Sequence, residues 1–423
     1  MLEKSTKGVE EFSGELESSG LKGDLQKSRY YRLMSEAQKI IHSQIPYEMC
    51  STDKVAAAET GVREEIFNGV NYKRAVVYLM SNGCEWALKS AHGCVMCGHL
   101  AKQTRRDKAI SVDDYLKQFE REFEIIDFKK YPILNLYNNG SFLNDNEIHP
   151  EARKGMLIKI NSNPDIKMVV LETRPEFVTE ERVKEIKRLI PNKHVELGVG
   201  LEIKDDFYRG ICINKGFSLQ RFNVAASLIT KYLNLRTYVL LKPLFLTEKE
   251  GIELAIDTIE HSFSVGATTV SLEACTIQDY TLMKYLYERG LYSTPWLWSI
   301  VEVVKRIKTP GKLIVGLFKF FPSPSAVPNN CDQCNEKVME AIVQYNRTLD
   351  RKVFNRITCK CKKDWVKILK EKPSLFEERL RPIPDILDEL KRSINYSERV
   401  NEPIFAEYEG GYRSKEITPP RSQ

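Results

Sequence analysis

The stretch NGCEWALKSAHGCVMCGHL, residues 82–100, places three cysteines in one loop directly after an apolar run. Their spacing is C-x9-C-x2-C, and they are Cys84, Cys94 and Cys97. Three thiolates in one loop can hold three irons of a cubane [4Fe–4S] cluster, which leaves the fourth iron free to bind a substrate. A zinc site completed by His92 or His99 is the alternative, because zinc accepts three cysteines and one histidine.

The composition is that of a globular protein large enough for one main domain and smaller units, with 423 residues, 42% hydrophobic and 29% charged. No apolar run reaches the roughly 18 residues of a membrane span, and the polar N-terminus is unlike a secretory signal. We therefore expect a cytoplasmic protein. Seven of the ten cysteines fall in two clusters, which in a reducing compartment indicates metal ligands rather than disulfides.

Short apolar runs alternate with amphipathic segments from residue 74 onward, a pattern that predicts parallel strands in βα units. The predicted strands are Ala75–Met80, Ile133–Tyr137, Met168–Glu172, Val195–Glu202, Thr237–Leu241 and Thr268–Leu272. The predicted helices include Val112–Phe123, Glu180–Leu189, Leu219–Leu233 and Glu248–Ser262. Six units predict an α/β fold with a partial (β/α)6 barrel, and a doubly wound open sheet is the alternative.

The changes in pattern along the sequence predict four units. Residues 1–70 form an N-terminal disordered and helical extension, with a helix over residues 25–44. The barrel takes residues 71–320, and a further strand candidate, Lys312–Phe318, leads to a Pro-rich linker. Residues 321–410 form a small cysteine-rich, metal-binding domain that is a candidate for RNA contact through its lysines, and residues 411–423 are a tail.

Polar residues follow the predicted strands at the end where barrel enzymes place their active sites. They are Cys84, Asn139, Gly140, Ser141, Glu172, Arg174, Glu202, Lys242 and Glu273. This position favours a catalytic iron–sulfur cluster over structural zinc in the first cysteine loop.

An iron with an open position that binds a small chelating molecule indicates S-adenosylmethionine as the cofactor. A glycine after a strand lets backbone groups approach a ligand, and Gly140 next to Asn139 and Ser141 fits this role. Glu172 can pair with the cofactor's ammonium group and Arg174 with its carboxylate. Gly200 and Glu202 offer a flat strand edge for adenine and a carboxylate for ribose or ammonium.

A second cysteine set forms two close pairs about 25 residues apart, which is typical of a closed structural zinc site. It consists of Cys331, Cys334, Cys359 and Cys361. A second iron–sulfur cluster and a disulfide pair are the alternatives. The aromatic stretch YSTPWLWS, residues 292–299, favours an anchor of a helix start to the core over base stacking.

The sequence resembles the radical S-adenosylmethionine superfamily, and within it the group around the catalytic subunit of Elongator. The segments that carry this resemblance are NGCEWALKSAHGCVMCGHL, YNNGSFLNDNEI, VVLETRPEFV, VELGVGLE and INKGFS. The segments LLKPLFLTEKE, YSTPWLWSIVEV and NNCDQC…CKCKKDW are similar to the radical enzymes of archaeosine biosynthesis. Residues 271–281, SLEACTIQDYT, depart from the expected pattern in a region that faces substrate, which leaves the exact substrate open.

The resemblance implies a barrel, one [4Fe–4S] cluster and S-adenosylmethionine. It implies that Cys84, Cys94 and Cys97 ligate the cluster, that Met96 lies near adenine, and that the segment Gly140-Ser141 holds the methionine amino group. Members of the family act on tRNA together with a lysine transferase, which attaches lysine to a 7-cyano-7-deazaguanine base. The radical enzyme then cleaves the C–N bond of the attached lysine by way of hydrogen abstraction from the adjacent carbon, leaving archaeosine.

Two further functions remain open at this point. An Elongator-like radical enzyme could act on another tRNA base, although the segment after the barrel is too short for an acetyl-CoA domain. A zinc-bearing RNA-binding protein without catalytic activity is the alternative from a different class.

Overall fold

The computed structural model describes residues 24–45, 56–81, 83–88, 92–102, 110–319 and 323–393. Most of the N-terminal stretch predicted as disordered, up to residue 23, and the predicted tail 411–423 lie outside these ranges. No helix within the described part combines the length and the apolar character that crossing a membrane requires.

One sheet of eight strands organises the protein, and the strands lie side by side in sequence order. They are β1 (Ala56–Phe67), β2 (Val70–Leu79), β3 (Ile133–Tyr137), β4 (Met168–Thr173), β5 (His194–Glu202), β6 (Asn234–Leu241), β7 (Ala267–Ala274) and β8 (Lys312–Val315). β1 pairs antiparallel with β2, and every pair from β2 to β8 is parallel. The predicted partial α/β barrel is confirmed, but the sequence analysis missed β1.

Helices connect the parallel strands, as the alternating pattern predicted. The helices between the parallel strands are α2 (Glu85–Leu88), α3 (Val112–Glu124), α4 (Pro150–Ser162), α5 (Glu180–Leu189), α6 (Asp206–Tyr208), α7 (Leu219–Tyr232), α8 (Glu248–Ser264), α9 (Leu282–Glu288) and α10 (Leu297–Arg306). Helix α1 (Asp24–Ser43) precedes β1, and β8 is followed by α11 (Asn335–Thr348), α12 (Lys362–Lys370), α13 (Phe376–Leu380) and α14 (Ile383–Ser393). Polar caps fix where several of them begin, for example the reciprocal pair of Thr247 and Glu250 at the start of α8.

The two faces of the sheet differ in chemistry. Outward residues such as Val169 and Leu171 of β4 pack with the helices in the main hydrophobic core. The inner face carries charged side chains instead. Among them, Nε of Arg236 on β6 lies 2.6 Å from Oε2 of Glu196 on β5. Because buried charges are stable only when they are paired, these ion pairs fix the strand register inside the barrel.

Side chains join the two edges of the sheet, β1 and β8. The Lys312 ammonium of β8 lies 3.0 Å from Glu65 of β1 and 3.3 Å from Glu196. Helix α11 covers the same seam, because Asn346 donates to the carbonyl of Val315 and accepts from its N–H, each at 2.8 Å. These contacts close the curved sheet where the backbone ladder ends.

The C-terminal segment packs directly on the barrel. Cys334, Val338 of α11 and Trp365 of α12 belong to the same hydrophobic core as the strands. Helix α14 packs against α1 in a second cluster, over the ends of the strands where the cysteine loop lies. The segment predicted as a metal-binding domain therefore shares its core with the barrel.

Candidate active site

The cysteine loop follows β2 and is anchored to two other parts of the rim. The backbone N–H of Val95 donates to the carbonyl of Ile213 at 3.0 Å. The N–H of Gly98 donates to Oε1 of Gln278 at 2.8 Å. The Cys97 N–H also donates to the Cys94 carbonyl at 3.1 Å, which forms a tight turn between the last two cysteines. These bonds hold the loop over the open end of the barrel.

The three thiols of this loop are partly buried and lie near enough to one another to interact electrostatically. Burial is the main cause that raises the pKa of Cys84, Cys94 and Cys97, and it raises that of Cys97 to about 12. Their mutual repulsion raises the pKa values of Cys84 and Cys97 further. These thiols keep their protons at neutral pH unless a positively charged metal ion or cluster binds and displaces them. The three cysteines therefore fit a metal site.

The two cysteine sets differ in how compactly their ligand atoms are placed. In the described part of the protein, only the second cysteine set has its metal-ligating atoms within 4.8 Å of one another. Neither His92 nor His99 completes such a compact group with the loop cysteines. Four ligands of a single zinc ion lie closer together than this limit, since the Zn–S distance is about 2.3 Å. Within the described residues, the loop cysteines therefore do not form a compact single-zinc site.

A buried carboxylate that the sequence analysis missed connects this loop to the turn after β3. Glu147 is 3% exposed. It accepts hydrogen bonds from four N–H groups, those of Ser141 N at 2.6 Å, Glu85 N at 3.0 Å, Asn144 Nδ2 at 3.0 Å and Asn138 Nδ2 at 3.2 Å. A Cβ atom on Gly140 would overlap this carboxylate, so only glycine fits there.

Asn139 has the geometry of a ligand-binding residue. Its φ angle of 57° lies in the left-handed region, which asparagine tolerates better than most residues. Its Nδ2 atom is buried and has no hydrogen-bond partner among the described residues. A buried donor without a partner is costly, and a cofactor carboxylate or carbonyl would satisfy it. The turn thus fits the predicted cofactor.

Arg174 lies beside the cysteines, but protein groups already engage part of its guanidinium. Its Nη2 donates to the carbonyl of Lys215 at 2.7 Å and its Nε to Glu176 at 2.5 Å. The guanidinium also stacks over Trp86, with its central carbon 4.8 Å from the ring centroid. The predicted contact of Arg174 with a cofactor carboxylate would be bidentate only if these contacts changed.

Lys215 is a second residue that the sequence analysis missed, although it lies in the quoted segment INKGFS. Its ammonium pairs with Glu202 at 2.8 Å, and the charge of Glu202 and the nearby Cys94 raises the pKa of Lys215 despite its burial. A Cβ on Gly200 would overlap the Glu202 carboxylate and come within 3.0 Å of the Lys215 ammonium. Gly200 therefore makes room for this ion pair.

Glu172 and Met96 complete the predicted cofactor residues. Burial is the largest cause that raises the pKa of Glu172, to about 7; the nearby Glu273 raises it further, while a hydrogen bond with Tyr238 opposes the shift. Met96 is partly buried with Cys94 against the second hydrophobic cluster. Glu172 faces the barrel interior, next to Tyr238 and Glu273.

The second cysteine set forms a compact group. Its three closest sulfur pairs are 3.5 to 3.6 Å apart, and all four cysteines are free. Four sulfurs around one zinc ion lie about 3.8 Å apart, as follows from a Zn–S bond of about 2.3 Å in a tetrahedron. Two side chains donate hydrogen bonds to these sulfurs. Trp298 donates through Nε1 to the Cys361 sulfur at 3.4 Å, and Asn330 donates to the Cys334 sulfur. Trp298 is buried, as the anchoring role predicted.

A series of buried hydrogen bonds runs from this cysteine group to the rim at the end of β6. Trp365, four residues after Cys361, donates to Ser299 at 2.8 Å, and Ser299 donates to Glu248 at 2.6 Å. Glu248 in turn pairs with the Lys242 ammonium at 2.9 Å. The metal-binding segment and the barrel rim are therefore connected through side groups as well as through the core.

Comparison with known proteins identifies relatives over most of the sequence. No family model matches it. The protein is 34% identical over 340 residues to archaeosine synthase subunit beta of Methanosarcina acetivorans, a match that covers 79% of this sequence and 96% of that protein. It is 30% identical over 295 residues to archaeosine synthase subunit beta of Thermococcus kodakarensis, with 68% and 89% covered. Among solved structures, archaeal Elp3 of Methanocaldococcus infernus matches with a TM-score of 0.40 and 13% identity, over 55% of this protein and 59% of that one.

Proposed function

The chain belongs to the archaeosine synthase subunit beta family of radical S-adenosylmethionine proteins, and from this we propose that it is a tRNA-modifying enzyme that forms archaeosine. The reaction that we propose cleaves the C–N bond between the lysine side chain and the amidine of a lysine-adducted 7-cyano-7-deazaguanine. The observation that carries the proposal is the group of three partly buried thiols, which lies over the carboxyl ends of parallel strands beside a turn with an unsatisfied polar atom, Nδ2 of Asn139.

We assign the cofactors to the residues around this opening. Cys84, Cys94 and Cys97 would hold a [4Fe–4S] cluster. The turn Asn139, Gly140 and Ser141, together with Met96, Glu172, Arg174, Gly200 and Glu202, would hold S-adenosylmethionine. Once bound, these groups supply a carbon-centred radical that abstracts hydrogen.

The protein's own residues have two tasks in this proposal. Glu147 holds the turn that receives the methionine part of the cofactor, because its carboxylate collects the N–H groups of both loops. The ion pair of Lys215 and Glu202 places one positive and one negative group beside Cys94, where a zwitterionic ligand needs both.

The name of these relatives, archaeosine synthase subunit beta, supports a partner subunit for this protein as well. We propose that the partner is the lysine-transferring subunit, because its product is the substrate of the proposed reaction, and that tRNA is shared between the two. We also propose that Cys331, Cys334, Cys359 and Cys361 bind one zinc ion.

Anaerobic reconstitution with iron and sulfide tests the proposal. The reduced protein should then release 5′-deoxyadenosine from S-adenosylmethionine and convert lysine-adducted tRNA to archaeosine, as detected by mass analysis of nucleosides. Cys97→Ala should abolish both activities, whereas Cys212→Ala, a lone buried cysteine, should retain them. A colourless protein that holds two zinc ions would refute the radical mechanism, and release of 5′-deoxyadenosine without archaeosine would refute the substrate.

A further inference from the structure

A cavity of about 50 Å³ lies inside the barrel, between the buried ion pairs and the ends of the strands. A water molecule needs about 10–15 Å³ by this measure, so the cavity has room for about four water-sized groups. Its lining includes Arg63, Arg74, Tyr137, Tyr238, Ser271 and Glu273. Tyr238 also contacts Glu172, which places the cavity next to the proposed cofactor site.

Glu273 of β7 brings a carboxylate without a cation to this cavity. Ser271 donates to it at 2.6 Å, and no lysine or arginine nitrogen of the described residues lies within 4 Å of it. A Cβ atom on Gly316 would overlap the carboxylate, so this glycine makes room for Glu273 at the cavity wall. A partly buried carboxylate without a counter-ion is costly, and a cationic ligand would remove that cost.

Positive side groups reach the cavity from β1 and β2. Arg63 donates through one nitrogen to the carbonyls of Leu317 at 2.9 Å and Lys319 at 3.1 Å, and it has no carboxylate within 4 Å in the described part of the protein. It interacts with Glu273 over a longer distance. Arg74 is 7% exposed, and its Nε has no hydrogen-bond partner among the described residues, although its Nη1 lies 3.4 Å from Glu65.

We propose that this cavity receives the α-amino-acid end of the substrate's lysine arm, with Glu273 accepting from the α-ammonium and Arg63 donating to the α-carboxylate. The assignment rests on the proposed function, in which the ammonium group of S-adenosylmethionine already pairs with Glu172. A different cation is therefore needed for Glu273. The lysine arm supplies it as its α-ammonium, together with a carboxylate for the guanidinium of Arg63. A zwitterion gives each of these two side chains a direct ion-pair partner at once, which a simple amine or a simple acid does not.

The test compares tRNA adducts that differ only in the arm. The lysine adduct carries both charges, the 6-aminohexanoate adduct lacks the α-ammonium, and the 1,5-diaminopentane adduct lacks the carboxylate. We expect Glu273→Gln to raise KM for the lysine adduct about 10- to 100-fold, the loss of one charged hydrogen bond, and to leave KM for the 6-aminohexanoate adduct nearly unchanged. Arg63→Gln should show the same contrast between the lysine and diaminopentane adducts.

Glu253→Gln, which removes a surface ion pair with Arg306, is the matched control and should change no KM. Release of 5′-deoxyadenosine without tRNA reports whether each variant still binds its cofactors, and if Glu273→Gln does not fold, Arg63→Gln decides alone. Equal effects on both adducts, or none on the lysine adduct, would overturn the assignment. A wild-type protein that yields no archaeosine from the lysine adduct would instead overturn the proposed function.

Discussion

Replacing Glu147 by glutamine is the sharpest test of how the two loops of the site are held together. Four N–H groups converge on this buried carboxylate, two on each oxygen. Glutamine offers one acceptor oxygen, so in either orientation of its amide two donors face an NH2 group. A buried donor without an acceptor costs about 1–3 kcal/mol, which predicts a loss of about 2–6 kcal/mol in the free energy of unfolding.

The loss should appear in two measurements. Urea unfolding followed by tryptophan fluorescence gives the free energy of unfolding, and calorimetry on the reconstituted protein gives the affinity for S-adenosylmethionine. If only the turn rearranges in the variant, the free energy of unfolding falls less, and the affinity for S-adenosylmethionine falls instead. The matched control is Glu151→Gln on α4, since among the described residues its carboxylate forms an exposed ion pair at 3.7 Å with Lys154, and its backbone bond to His149 does not depend on the side chain. Such pairs contribute about 0–1 kcal/mol.

The result that refutes this reasoning is a Glu147→Gln protein that matches Glu151→Gln in both unfolding free energy and cofactor affinity. The carboxylate would then hold neither loop in solution.

Three more predictions concern other parts of the molecule. The affinity for S-adenosylmethionine should rise about tenfold per pH unit until the Glu172 pKa of about 7 and then level off, because only the ionised carboxylate pairs with ammonium; binding from about pH 5 to pH 8 should lose this slope in Glu172→Gln. The groups that face this carboxyl are Tyr137, Tyr238, Arg236, Lys215 and Glu273. Arg236→Met should lower the free energy of unfolding by about 3–5 kcal/mol in urea titrations, since it leaves Glu65 and Glu196 undercompensated, and a change below about 1 kcal/mol would contradict the role of these ion pairs. Cys361→Ala should eliminate bound zinc in metal analysis and lower the free energy of unfolding by about 3 kcal/mol or more, and retention of one zinc per protein molecule would contradict the assignment.

The strands of the barrel were predictable because their outer faces pack on helices. Ile133–Tyr137 was predicted with the bounds that the structure has, since a short apolar run between amphipathic segments is typical of a parallel strand. β1 was missed because its sequence, AAAETGVREEIF, has neither an apolar run nor strict alternation. β1 is held by its pairing with β2 at the edge of the sheet and by the ion pairs of Glu65. Such contacts with distant parts of the protein leave no pattern in the sequence of the strand itself.

The cysteines of the candidate site were predictable from spacing, whereas the residues that support them were not. Glu147 lies in a loop where a glutamate ordinarily faces solvent, and only the folded protein shows that it collects donors from both loops. One feature of the sequence could have pointed to Lys215 as a site residue, namely its place in a segment that carries the family resemblance. The inward charges Glu196 and Arg236 were not predicted, because their partners are distant in the sequence and are brought together only by the fold.

The seam between β1 and β8 has a consequence for how the protein is made. Among the described strands, the backbone ladder runs from β1 to β8 and does not join the two ends, so only side groups and α11 close the ring. β1 leaves the ribosome early, but Lys312 and Asn346 emerge more than 240 residues after Glu65. Because domains fold as they emerge, the nascent sheet stays unclosed until most of the protein is synthesised. Until then the charged inner face of the sheet is exposed to water. Water solvates these charged side chains, which would be costly to bury before their ion-pair partners arrive.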